Sequence, residues 1–233
     1  MTIELSQRDG VATIALNRPE VRNALNLEMC EALLEAIRKI DARLVVVRGN
    51  GPVFCGGADV KERTGKSEQW VRERRLKAFA AYEALEALPM PCIALVHGAA
   101  IGSGCEIAAA CDFIVATPDA IFRTPEAQRG TVGATQRLPR ILGKRLAKDL
   151  MFTGRDLGAE EARQAGLVTR IVNDLDVAVT ELKTTILKAS PVALKLAKRS
   201  IDQGIELDPK GAREVEIAAI EEQLASGQWM GKP

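Results

Sequence analysis

Histidine is almost missing from this chain: His97 is the only one in 233 residues. A zinc or iron centre built on imidazole needs several such ligands, so that chemistry is set aside. Aromatic residues are as scarce, at 3%, and 32 Lys plus Arg against 31 Asp plus Glu leave a net charge of only +1. Such a surface supplies neither the stacking platforms nor the field on which nucleic-acid binding draws, and it offers no general attraction to anionic lipid. The five cysteines, Cys30, Cys55, Cys92, Cys105 and Cys111, are odd in number, show no CxxC spacing and lie in apolar or Gly-rich segments. They read as reduced and mostly buried. The longest apolar runs, at 44–47 and 92–96, fall far short of a bilayer. The first twenty residues carry acids early and no basic stretch ahead of an apolar core. Neither a signal nor a transit peptide is expected, and the cytoplasm is the expected location.

What is present is a chain 47% hydrophobic and 27% charged, enough to bury the core of one good-sized soluble domain. Apolar clusters at 3–5 and 11–16 flank Arg8-Asp9-Gly10 and predict a β-hairpin. Leu25, Met29, Leu33 and Ile37 recur at helical spacing behind Asn26, a suitable cap, which predicts a helix over 25–39. Buried strands are expected at 44–48 and 92–96, a long charge-laced helix with a solvated charged face over 68–88, and short strands at 113–116 and 120–123. Helices are expected to begin near Ser103 and to span 136–142, 143–152, 159–165, 176–189, 191–203 and 213–225. Strand pairs with intervening helices, then helices alone, give an α/β class with one core and a helical C-terminal extension.

Three short segments carry potential chemistry. Gly56-Gly57-Ala58-Asp59 follows a strand, and adjacent glycines let a ligand approach main-chain N–H groups; alone, such a segment is more often a flexible turn with a helix cap at Asp59. Gly98-Ala-Ala-Ile-Gly102-Ser103-Gly104-Cys105-Glu106 runs from a strand into a helix whose N-terminal N–H groups and dipole suit an oxyanion. It is also compatible with close helix packing that admits only small side chains. Thr124-Pro125-Glu126 can project a carboxylate from a strand end, or can be an ordinary Pro-Glu helix start. Together they supply two sets of backbone donors and two carboxylates, the parts enolate chemistry requires; preorganised donors are worth ~3 kcal/mol each.

The ordered segments Asn17-Arg18-Pro19-Glu20-Val21-Arg22-Asn23-Ala24-Leu25, Gly56-Gly57-Ala58-Asp59-Val60, Gly102-Ser103-Gly104-Cys105-Glu106, Cys111-Asp112, Pro125-Glu126 and Thr135-Gln136-Arg137-Leu138 resemble the signature of the enoyl-CoA hydratase/isomerase (crotonase) family. The resemblance implies a spiral of repeated ββα units with a helical C-terminal region. It divides the chain into a core over 1–190 with the acyl-CoA site and an oligomerisation region over 191–233 in the same folding unit, assembling as a homotrimer or dimer of trimers. It places oxyanion donors at the Ala58 and Ser103 amides and the hydratase carboxylates at Glu106 and Glu126. Substrate or coenzyme A contacts are implied for Arg22, Ala24, Gly56, Gly57, Asp59, Val60, Lys61 and Gly102, with Arg22 and Lys61 near the nucleotide. The implied reaction is syn addition of water to a trans-2-enoyl-CoA, giving a 3-hydroxyacyl-CoA. Both glutamates would bind the water and Glu126 would exchange the C2 proton. No metal or redox cofactor is required, since coenzyme A is part of the substrate.

Three departures stand out. Serine replaces the family's usual glycine at 103, which preserves a backbone donor if no positive φ is needed there and sets a hydroxyl beside the acyl pocket. The 127–134 stretch is shorter than usual, and the chain stops at Gln228–Pro233 near where many relatives begin another helix, so pocket closure or trimer contacts are expected to differ. An isomerase using one glutamate is the nearest rival within the family; decarboxylases, thioesterases and carbon–carbon bond-forming members are others. From another class, Ser103 with His97 and Asp112 suggests a serine hydrolase, although Ile101-Gly-Ser-Gly-Cys lacks the first glycine of GxSxG. RNA binding, known for some relatives, is disfavoured by the composition.

Overall fold

Asp9 and Gly10 both take left-handed backbone, at φ 51° and 78°. That pair of positive angles closes a two-residue hairpin between β1 (Ile3–Arg8) and β2 (Val11–Leu16), with Arg8 opposite Val11. The computed structural model describes residues 1–227. After the hairpin come α1 (Leu27–Arg38), β3 (Leu44–Gly49), α2 (Glu68–Glu86), β4 (Cys92–Val96), β5 (Ala99–Ile101), α3 (Ser103–Ala109), β6 (Phe113–Ala116), β7 (Ile121–Arg123) and α4 (Arg137–Thr153). The chain continues through β8 (Leu157–Gly158), α5 (Ala159–Gln164), β9 (Arg170–Ile171), α6 (Leu175–Ile186), α7 (Pro191–Gly204) and α8 (Pro209–Ala225). The expectation about Gln228–Pro233 lies outside the described residues.

The strands form two sheets, a long one ordered β1-β2-β3-β4-β6-β9 and a short one ordered β5-β7-β8. β4 and β6 are followed by β5 and β7, so the first strand of each pair enters the long sheet and the second the short one, before a helix returns the chain. This is the expected α/β spiral of ββα units. In β3 and β4 successive side chains serve opposite faces. Val45, Val47, Ala94 and Val96 pack with Leu33, Tyr82 and Ile107 from α1, α2 and α3. Leu44, Val46, Ile93 and Leu95 pack with Leu175, Ala178 and Leu182 from α6. Burial on both faces explains why these strands read as unbroken apolar runs.

Most helix starts follow their caps. Asn26 accepts the Met29 N–H at 2.9 Å, so α1 begins at Leu27 and leaves Leu25 free to bridge Ala58. Asp208 accepts the Gly211 N–H at 2.8 Å, which starts α8 at Pro209, earlier than expected. Gly143, at φ 73°, breaks α4 where two helices were expected. β5, β8 and β9 were not foreseen: Ala99-Ala100-Ile101 has little strand propensity and is held by its ladder with β7, while two-residue strands carry no periodicity. All five cysteines are free and buried. Among the described residues no helix is long and apolar enough to cross a membrane.

Candidate active site

The long charged helix α2 is not solvated all round. Arg74 shares its inner stripe with Ala78, Ala81, Tyr82 and Leu85 and is buried. Its guanidinium donates to Glu62 Oε1 at 2.6 Å and to the Leu25 carbonyl. Glu62 Oε2 in turn accepts the Leu27 N–H at 2.8 Å. This one carboxylate therefore fastens the loop after Ala58 to both α1 and α2. The signal was present in the spacing, since 74, 78, 81, 82 and 85 fall on one helical face.

That loop runs beside β5. Cys55 and Ala100 form a parallel bridge, with the Cys55 N–H donating to Ala99 at 3.0 Å and the Ile101 N–H to Cys55 at 2.9 Å. Ala58 and Ser103 each lie three residues beyond this pair, and both residues line one cavity. Around Ala58 the Leu25 N–H is taken by Gly57 O and the Asp59 N–H by Leu25 O. Ser103 occupies the first position of α3, where a helix offers its N–H no carbonyl. Its φ is not positive, so serine suits the position. Two glycines permit the approach: Gly57 has φ 101° and a Cβ there would lie 3.0 Å from Ile101 O, while Gly102 combines φ 49° with ψ −106°.

Both amides line a cavity of ≈ 300 Å³ together with Gly57, Val60, Gly102, Glu106 and Glu126. Glu106, in the first turn of α3, is buried; its Oε2 accepts from Arg137 Nη1 at 3.1 Å, and its Oε1 is buried without a partner. Arg137 is fixed by two further bonds of 2.6 Å to Glu86 and lies 5.6 Å over the Tyr82 ring. Burial raises the Glu106 carboxyl above its ordinary value, opposed by the charge and hydrogen bond of Arg137. The Ser103 hydroxyl faces that of buried Tyr82.

Glu126 follows β7 and opens the short 3₁₀ turn Ala127–Arg129. Its Oε2 is also buried without a partner, and its Oε1 rests over Gly102, where a Cβ would come within 2.5 Å. Burial lifts this carboxyl too, with the charges of Arg129 and Arg75 acting against the shift. A raised folded value means that ionisation at neutral pH opposes folding. Glu126→Gln is therefore expected to raise Tm by a few degrees at pH 7. Melting curves across pH should show the gain shrinking as pH falls through the raised value and vanishing below the ordinary 4.5, where the wild-type carboxyl is neutral in both states.

The remaining expected contacts do not line the cavity. Asp59 pairs with Arg18 at 3.0 Å and accepts the Lys61 N–H at 3.1 Å, which shapes the loop. The Arg22 carbonyl accepts the Gly56 N–H at 2.7 Å, the Ala24 carbonyl accepts from Arg18 at 2.5 Å, and the Arg22 and Lys61 side chains are exposed. Arg137, Tyr82, Arg63, Arg75 and Arg129 are additions that sequence reasoning missed.

Asn23 explains the Arg22-Asn23-Ala24 segment. Fully buried at φ 54°, it donates to the carbonyls of Asn50, Val53 and Phe54 at 2.8, 2.9 and 3.2 Å and accepts the Arg18 N–H at 2.9 Å. Asn23→Ala leaves these groups unsatisfied and is expected to cost about 3 kcal/mol in denaturant unfolding.

The serine-hydrolase arrangement is not assembled. His97 Nε2 donates to Gly51 O at 2.9 Å. Asp112 accepts the Cys92 N–H at 2.7 Å and pairs with Lys198 at 2.8 Å, at the opposite end of β4, a strand about 16 Å long. The Ser103 hydroxyl meets Tyr82 instead.

Ala58, Ser103, Glu106 and Glu126 thus line a single cavity. In agreement with this, the enoyl-CoA hydratase/isomerase family profile matches residues 6–228, and the chain belongs to that family. It is similar to the mitochondrial enoyl-CoA hydratase domain-containing protein 2 of Bos taurus, at 40% identity covering 85% of this chain and 72% of that one. It is also similar to an enoyl-CoA isomerase/hydratase of Mycosarcoma maydis, at 34% identity covering 93% and 86%. Among solved structures, the enoyl-CoA hydratase of Bacillus anthracis superposes with a TM-score of 0.91 at 35% identity, covering 95% of this chain and 90% of that one. A Thermobifida fusca relative crystallised with acetoacetyl-CoA gives a TM-score of 0.88 at 29% identity, covering 97% and 95%.

Proposed function

We propose that this protein is an enoyl-CoA hydratase, adding water across the double bond of a trans-2-enoyl-CoA to give a 3-hydroxyacyl-CoA. The observation that carries the reading is that Glu106 and Glu126 face the same cavity as the Ala58 and Ser103 amides, each with one buried, unpartnered carboxylate oxygen. A thioester oxygen held by the two N–H groups is stabilised as it takes up enolate charge. The two free carboxylate oxygens hold the water between them. Glu106, oriented by Arg137, takes a proton from the water as the water oxygen bonds to C3 and the C2–C3 electron pair moves into the enolate. Glu126, in its protonated form, gives its proton to C2, and return of the Glu106 proton to Glu126 restores the site. Isomerisation needs only one proton-carrying carboxylate, so the second glutamate on the same cavity favours hydration.

No metal or redox group has a part in these steps. The Thermobifida fusca relative's acetoacetyl-CoA supports an acyl-CoA thioester as the ligand. Arg22 and Lys61, exposed beside the loop that carries Ala58, are positioned to meet nucleotide phosphates. The exposed Ile201 of α7, Ile205 just after it, and Ile217, Ile220 and Leu224 of α8 support a homotrimer assembled through this helical region. The test is a panel of enoyl-CoA thioesters followed by loss of the conjugated double bond, with products identified by mass. Products lacking the mass of one added water, or migration of the double bond alone, would overturn the reading.

A further inference from the structure

The charges around the cavity do not balance. Of its cations, Arg74 is satisfied by Glu62, whereas Arg63, Arg75 and Arg129 also line the wall and have no carboxylate within ion-pair distance among the described residues. Glu106 is already engaged by Arg137, leaving Glu126 as the acid that feels Arg129 and Arg75. Arg63 Nε is buried with no acceptor, and desolvation, followed by the repulsion of Arg74 and Arg75, depresses the pKa of this guanidinium. Arg63 is only half-buried and Glu62 partly offsets the repulsion, but a cation whose Nε is desolvated beside two others gains from an anionic partner.

The placement of these cations is ordered. Along α2 the cavity wall is made by Arg75, Ala78, Phe79 and Tyr82, a single helical face. Tyr82 marks the oxyanion end, lining the cavity beside Ser103. Arg75 lies two turns away, about 10 Å along the axis, with Ala78 and Phe79 between. Arg75 is held by Thr131 Oγ1 and by the Val132 carbonyl at 3.0 Å. These are neutral acceptors, which orient the guanidinium without neutralising it. A chain leaving the thioester along α2 thus meets an apolar stretch and then guanidinium groups.

We infer that the acyl pocket is built for an enoyl chain that ends in a carboxylate, the monothioester of a short dicarboxylic acid, with Arg63, Arg75 and Arg129 receiving the far carboxylate. This rests on the acyl-CoA reading above and names its substrate class. The planar guanidinium fork matches a carboxylate. The shortened 127–134 stretch contributes directly, since it carries Arg129 and the two acceptors that aim Arg75.

Binding separates this inference from the chemistry, because saturated thioesters cannot be hydrated. Calorimetric Kd values for glutaryl-, adipoyl- and suberoyl-CoA are compared with those for pentanoyl-, hexanoyl- and octanoyl-CoA. At one or more lengths the carboxylated ligand is expected to bind about tenfold more tightly. Arg63→Gln, Arg75→Gln and the exposed Arg129→Gln should each shrink that ratio, so the result does not depend on the folding of any one variant. Tighter binding of the methyl-ended ligand at every length would overturn the inference, as would three variants that each leave the ratio unchanged. If the arginines instead receive coenzyme A phosphates, the variants would weaken both ligands and free coenzyme A equally, which also overturns it. Failure of every thioester to bind would strike the acyl-CoA reading itself; tight, carboxylate-selective binding without hydration would strike the hydratase reading alone.

Discussion

Glu106→Gln is expected to lower kcat for hydration by about a thousandfold, within the range for loss of a positioned acid or base. Glutamine has the shape of glutamate and still accepts from Arg137, so the change removes a basic oxygen without opening a hole. The oxygen at stake is Oε1, which is buried and faces no protein donor. A carboxylate in that state is poorly solvated and strongly basic, as its raised pKa reflects. Arg137, by its charge and hydrogen bond, acts against the rise. The measurement is the rate of loss of the conjugated thioester chromophore with wild type and variant at saturating substrate. Full activity would reject the role of Glu106. Loss of hydration with retained double-bond migration would assign proton shuttling to Glu126 alone.

Gly102→Ala is expected to be nearly as damaging, with kcat falling about a hundredfold through misplacement of reacting groups. The backbone at φ 49°, ψ −106° lies outside the regions open to L-residues, and holding alanine there costs about 1–3 kcal/mol. The new methyl would also stand 2.5 Å from Glu126 Oε1, displacing that carboxylate, and relief of backbone strain would shift the first turn of α3 with the Ser103 amide. Gly166→Ala provides the comparison. Gly166 has φ 85° and open space around it, so alanine there carries backbone strain but touches nothing. Thermal melts should show both variants destabilised, and turnover should fall sharply only for Gly102→Ala. Equal loss of turnover in the two would reject the steric account.

The sequence disclosed what depends on local patterning. Continuous apolar runs marked β3 and β4 because both faces are covered, and Asn26 marked the start of α1. The ordered glycine and glutamate segments marked the two donor loops and both carboxylates. What stayed hidden depends on partners distant in the chain. β5 is a strand only because β7 and Cys55 pair with it. Arg137 reads as an ordinary charge at a helix start until the fold brings Glu86 and Glu106 to it. The inward turn of Arg74 and Arg75 was masked by the acids and bases crowding α2, although the alanine and tyrosine spacing pointed to that face. The hydrolase arrangement failed for a topological reason, since His97 and Asp112 sit at opposite ends of one strand.

The bridge between Cys55 and Ala100 has a consequence for adaptability. Because the gap between the Ala58 and Ser103 amides is set by a main-chain ladder, no rotamer enters it and no side-chain replacement short of proline deletes a donor. On the proposed reading, activation of the thioester resides in the backbone, whereas selection of the acyl group resides in the side chains of α2 and of the segment after Glu126. The wall can be rebuilt for a new chain length or charge while the anion-stabilising point keeps its tuning.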